Sequence, residues 1–158
     1  MDDAKEAPME TLIASQSAET VSVRPGVMLF KYGTPEMVDL ERSYMCPGLK
    51  SWIIDVPVTG HTNPLTFGRF EMRPSVDFPF FYEYLEVKTI VSGKIVVKDE
   101  SGVRFEATAG DVFVFTPPHL VTFLAECDGT AVYVGHRGSE PSFLPGFTGT
   151  VVTPGIHG

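Results

Sequence analysis

The feature that most constrains this chain is a run of short apolar segments, each closed by a turn signal, from about residue 65 to residue 136. Stretches of strand length at 65–72, 80–91, 94–98, 103–107, 111–115, 121–126 and 130–136 are rich in β-branched and aromatic residues. The spacers are Ser92-Gly93, Asp99-Glu100-Ser101-Gly102, Ala109-Gly110, Thr116-Pro117-Pro118 and Asp128-Gly129, residues that turn a backbone. No segment sustains a helical period and no internal repeat is visible. Many short strands with turns between them close on one another, so the predicted class is all-β, an antiparallel sandwich or barrel.

Upstream the pattern is looser. Residues 1–20 are polar and small, and read as a flexible N-terminal segment. Residues 21–64 supply strands at 27–32 and 51–56 and a loop, all expected to pack on the barrel of residues 65–137. Between those strands, Pro35 to Glu41 predicts one or two helical turns with Thr34 as cap and Pro35 at the first helical position. Pro47-Gly48 then breaks the chain, and Trp52 reads as core. The tail at 138–158 is rich in Gly, Pro and Thr, and is expected on the outside of the barrel or on a partner subunit.

Charge narrows the function. A net charge of −8 repels phosphate backbones and anionic headgroups, which argues against nucleic-acid and membrane-surface roles. No apolar run approaches the ~20 residues of a membrane span. The opening Met1-Asp2-Asp3-Ala4-Lys5-Glu6 is not a secretory leader, so the expected compartment is the cytoplasm. Cys46 and Cys127 form no CxxC pair and read as reduced thiols, although the sequence leaves one disulfide open. No phosphate-cradling glycine loop, nucleophile elbow or dinucleotide fingerprint occurs.

Two motifs carry a family resemblance. Glu86 is followed by Val87-Lys88-Thr89-Ile90-Val91-Ser92 and then Gly93. Further on stands Gly110-Asp111-Val112-Phe113-Val114-Phe115-Thr116-Pro117-Pro118. In this order, over residues 65–137, they resemble the two motifs of a small single-domain cupin, with Gly93 turning a hairpin. The resemblance implies a double-stranded β-helix, the jelly-roll form of the antiparallel β-barrel, with little helix. The family's metal-binding histidines would fall at Phe80, Tyr82 and Val121 or Thr122, so only Glu86 of the usual ligand set survives. Within the cupins, the ethanolamine-utilisation Q-type proteins are most similar. They share an acidic residue at the Glu86 position, an ionisable residue two positions on, and a second motif without histidine. No cofactor and no metal are expected.

Strand alternation puts Phe80, Tyr82, Tyr84, Glu86, Lys88 and Ile90 on one face and Phe81, Glu83, Leu85, Val87, Thr89 and Val91 on the other. Periodicity leaves the inner face open. One reading buries Val87 and Val91 and leaves Glu86 and Lys88 as a solvated pair. The cupin resemblance reverses it, unless a β-bulge flips the register part-way. Turned inward, Glu86 and Lys88 would sit in an apolar cavity where neither stays charged cheaply without the other. Such a pair is either structural or a proton acceptor and donor for a small carbonyl or enol compound, with Tyr82 as a further donor. A Schiff base on Lys88 is disfavoured, because the adjacent carboxylate raises its pKa. Phe80, Tyr84, Thr122, His119 and His136 are the candidate substrate contacts. His61 reads as a solvated loop residue and His157 lies near the end of the chain.

The sequence therefore predicts a small-molecule enzyme acting by acid–base chemistry without a standard metal site, of isomerase, cyclase, dehydratase or lyase type, and a homodimer. The alternatives are a non-catalytic metabolite-binding or accessory cupin, and a metal-dependent one with an altered ligand shell.

Overall fold

The computed structural model describes residues 9–13, 29–31, 36–57, 64–138, 140, 143 and 150–154. His61 and His157 lie outside them. The elements are β1 (Met9–Ile13), β2 (Leu29–Lys31), β3 (Val38–Asp39), α1 (Leu40–Ser43), β4 (Ser51–Pro57), β5 (Thr66–Met72), β6 (Phe78–Tyr82), β7 (Glu86–Lys98), β8 (Arg104–Thr108), β9 (Val112–Phe115), β10 (His119–Phe123), β11 (Asp128–Gly135) and β12 (Thr150–Pro154). All strand pairs are antiparallel.

One curled sheet runs β3-β4-β5-β11-β7-β10-β6, with β8 and β9 also paired to β7. A separate three-stranded sheet orders β1-β12-β2. Met9–Ile13, within the segment read as flexible, is a strand, and it pairs with β12 from the segment read as a tail.

Strand β7 organises the sheet. Its first half lies between β11 and β9, and its second half pairs with β8 and reaches β10 at its end. The hairpin expected at Gly93 is absent: the chain runs straight on from residue 86 to residue 98. Gly93 instead marks a bulge, where the register against β11 shifts between Thr130 and Ala131. Its φ of +68° suits glycine, and a side chain there would collide with the Asp128 carbonyl. Asp128-Gly129, read as a turn, opens β11 directly opposite. The true hairpins follow other predicted signals. Asp99 accepts from the Val103 amide at 2.9 Å, and Asp111 accepts from the Thr108 amide at 2.9 Å, each closing a turn beside a glycine of positive φ.

The helix begins later than predicted. Asp39 caps it by accepting from the Glu41 amide at 2.9 Å, while Thr34 and Pro35 lie outside the described residues. The predicted strand 80–91 is two strands, β6 and β7, separated by Glu83-Tyr84-Leu85. The core between the sheet layers is aromatic: Phe70, Phe78, Phe115 and Phe123 are buried, and Tyr82 stacks on Phe115 with centroids 4.5 Å apart.

Candidate active site at the barrel mouth

Along β7, Glu86, Lys88 and Ile90 are buried while Val87 and Val91 are exposed, so the inward reading is the one the fold adopts. The bulge that could have flipped the register falls after Ile90, beyond the ionisable pair. Glu86 and Lys88 are each only 3% exposed. Their spacing places both on one face of one strand, and Lys88 Nζ lies 3.4 Å from Glu86 Oε2. The Tyr82 hydroxyl, from the end of β6, donates to the same oxygen at 2.6 Å. Glu86 thus meets two donors in an otherwise apolar interior.

Aromatic rings surround the ammonium. Lys88 Nζ stands 4.1 Å from the Phe70 centroid, 5.0 Å from Phe123 and 5.4 Å from Tyr133. Burial lowers the Lys88 pKa, and the Glu86 carboxylate works against that. Burial, reinforced by Glu86, holds the Tyr82 phenol well above its ordinary value, so it stays a donor.

A second buried charge cluster lies beside the first, and sequence reasoning missed it. Asp55, from the middle of β4, is fully buried. Arg137 Nη1 and Nη2 donate to its two carboxylate oxygens at 2.5 and 2.9 Å, and the Glu140 amide donates at 2.9 Å. The Tyr133 hydroxyl donates to Asp55 as well, and Gly68 leaves the room it needs, since a Cβ there would strike the phenol. Arg137 also lies over the Tyr84 ring at 5.1 Å. Burial alone would lower the Arg137 pKa, but its bonds and charge contact with Asp55 raise it. Burial and the Glu86 carboxylate push Tyr84 up, against Arg137.

Phe80, Tyr82, Tyr84, Glu86 and Lys88 line one internal pocket, joined by Arg137 and closed by Leu40, Tyr44 and Phe143. Its free volume is about 30 Å³, the space of one water. Three predicted contacts lie elsewhere. Thr122 alternates with the buried Val121 and Phe123 on β10 and therefore faces outward. His119 lines a separate cavity of about 240 Å³ with Asp99, Phe105 and Thr116. His136 is exposed, and its amide donates to the Leu85 carbonyl at 2.8 Å. Its neighbour Arg137 is the residue that reaches inward.

Residues 60–127 match a family model described as an EutQ-like cupin domain. The fold is a cupin fold. Among solved structures, the EutQ protein of Clostridium difficile is similar at 17% identity, covering 64% of this chain and 71% of that one with a TM-score of 0.56. The ethanolamine utilization protein Q of Salmonella typhimurium is similar at 22% identity, covering 56% of this chain and 71% of that one with a TM-score of 0.49. The likeness of fold rests on the first. No curated protein matches the chain by sequence. The metal that cupins commonly hold does not fit the residues of this chain. Phe80 and Tyr82 stand where its histidines fall, and no three His, Cys, Asp or Glu side chains converge among the described residues. No helix among the described residues is long and apolar enough to cross a membrane.

Proposed function

We propose that this chain is a cytoplasmic small-molecule cupin enzyme that moves protons at Glu86, in isomerase, cyclase, dehydratase or lyase chemistry. The observation that carries the reading is the Tyr82–Glu86–Lys88 cluster inside an aromatic barrel. Glu86, held by two donors, is the base that takes a proton from a carbon or hydroxyl of the substrate. Lys88, whose ammonium burial makes readier to release its proton, is the acid, and once Glu86 has taken the substrate's proton the Tyr82 hydroxyl can turn from it to an enolate oxygen. No step runs through a metal. The free thiols of Cys46 and Cys127 suit a reducing compartment.

Substrate reaches the pocket from an outer cleft that shares Tyr44, Phe80, Tyr84, Arg137 and Phe143 with it. The small inner volume favours a second reading, in which the cluster is structural and the cupin only binds its metabolite. The two separate in Glu86→Gln, screened with small uncharged hydroxy and carbonyl compounds by thermal shift and then for turnover. Catalysis predicts an unchanged fold and turnover reduced at least about a hundredfold. Equal turnover in the variant removes Glu86 from the reaction.

We also propose that the chain is a homodimer joined through the outer face of β9, β7 and β11. Val134, Val87 and Val114 form one cross-strand row, and Val132, Thr89 and Val112 the next. With Val91, the valines on this face are 38–59% exposed. Together they offer roughly half of the ~800 Å² per partner that a stable interface buries. The uncharged rows are self-complementary, as a two-fold interface requires.

A further inference from the structure

The outer cleft has a chemistry of its own. Its volume is about 640 Å³, and five aromatic rings line it: Tyr44, Phe80, Phe81, Tyr84 and Phe143. Tyr44 meets Phe80 edge-on at 5.9 Å and Phe143 at a tilt at 6.4 Å, and Phe80 meets Tyr84 edge-on at 6.4 Å. Rings set at angles around a hollow present both faces and edges to it, and aromatic faces attract cations. One cation already uses the wall, since Arg137 lies over Tyr84.

The charges in the cleft point the same way. Arg137 is bound by two hydrogen bonds to the buried Asp55, so its charge is balanced within the fold. Glu83 lines the cleft, is exposed, and makes no hydrogen bond or ion pair among the described residues. Glu140 lines it too. An anion would meet these carboxylates while Arg137, the cation that lines the cleft among the described residues, is already neutralised. A neutral apolar compound would leave Glu83 unused. A small alkylated ammonium ion satisfies both the rings and the carboxylate, and the net charge of −8 draws it in.

We propose that this aromatic cleft is a binding site for a small organic cation of the alkylammonium class, with Tyr44, Phe80 and Tyr84 as its cage and Glu83 as its counter-ion. This goes beyond the proposed reaction, because binding in the cleft needs no proton transfer at Glu86. The test is calorimetry on the full chain with choline, with the uncharged dimethylbutanol in which carbon replaces the nitrogen, and with the trimethylacetate anion. The expected result is choline binding at least about tenfold tighter than dimethylbutanol, and no measurable binding of trimethylacetate. Tyr44→Leu should weaken choline about tenfold. Glu83→Gln, at an exposed position that leaves the fold intact, should weaken it about threefold and leave dimethylbutanol unchanged. Equal binding of dimethylbutanol, tighter binding of trimethylacetate, no choline binding at roughly millimolar concentration, or an unaltered Glu83→Gln would each overturn the proposal. Choline calorimetry reads the cleft and Glu86→Gln turnover reads the reaction, so either proposal can fail alone.

Discussion

The two faces of β7 are built in opposite senses. Its inner face carries Glu86 and Lys88, both buried, and its outer face carries Val87 and Val91, both exposed. A half-buried strand ordinarily does the reverse. The inner charges are tolerable because each finds a partner two residues away on the same strand, with Tyr82 supplying a further bond. The outer valines stay about half exposed in one chain, and the proposed dimer would cover them. The inner face is held by specific pairs and should respond sharply to single substitutions; the outer face should respond in assembly rather than in folding.

The largest effect is expected at the buried charge cluster beside the inner face, on β4. Asp55→Ala leaves the Arg137 guanidinium without its counter-charge and removes one of the two acceptors of the Tyr133 hydroxyl, and should cost about 3–5 kcal/mol in chemical denaturation. A loss below ~1 kcal/mol would mean that the pair is solvated and the inner face is not sealed. Lys88→Met strands Glu86 in the same way and should cost about 3 kcal/mol.

Alkaline pH probes the inner face without a substitution. Tyr82, Tyr133, Tyr84 and Tyr44 are all held above the ordinary tyrosine value of 10.0, each chiefly by burial. Above pH 10.0 the unfolded chain gives up phenol protons that the folded chain keeps, so stability falls as pH rises. Lys88 acts oppositely. Burial puts its folded pKa below 10.5, so the unfolded chain binds the extra proton and stability rises with pH up to 10.5. Several phenols outweigh one ammonium, so Tm should decline above pH 10.0, and in a Tyr32→Phe/Tyr44→Phe background tyrosinate absorbance should appear only with unfolding. Tyrosinate appearing in that folded variant near pH 10.0 would show the remaining rings to be exposed.

The smallest effect on folding belongs to the outer face. Val134→Lys should change monomer stability by no more than about 0.5–1 kcal/mol, yet convert a dimer to a monomer in light scattering at micromolar concentration. A wild-type monomer would remove the proposed interface, and a Val134→Lys dimer would move it to another face.

Much of the fold was legible because turn chemistry is local. Asp99 to Gly102 and Ala109-Gly110 could be read as hairpins, since the residues that bond the turn lie within it. Gly93 could not be placed the same way. Its constraint is the Asp128 carbonyl, a neighbour created only when β11 pairs with β7. The helix start moved for a similar reason: both Thr34 and Asp39 can cap, and the pairing of Val38-Asp39 with β4 makes Asp39 the boundary. Glu86 and Lys88 were found because the cupin resemblance turns inward a face on which two ionisable residues interrupt aromatic ones. Asp55 carried the same signal, one carboxylate within Ile53-Ile54-Asp55-Val56, but its partner Arg137 lies far along the chain and only the closed barrel joins them. Thr122 was assigned to the pocket by its place in the second motif and His136 by its place at the end of the last strand, whereas Thr122 faces outward by strand alternation and His136 is exposed.

The central claim is that Glu86 and Lys88 are inside the barrel for chemistry rather than for stability. The most direct test is the double variant Glu86→Leu/Lys88→Met in chemical denaturation, beside each single change. A buried pair kept for function can be exchanged for apolar side chains without loss, whereas removing one partner leaves an uncompensated charge. The account predicts that each single change costs about 3 kcal/mol and that the double variant is as stable as the wild type or more so. A double variant about 3 kcal/mol less stable than the wild type would contradict it and make the pair part of what holds the barrel together.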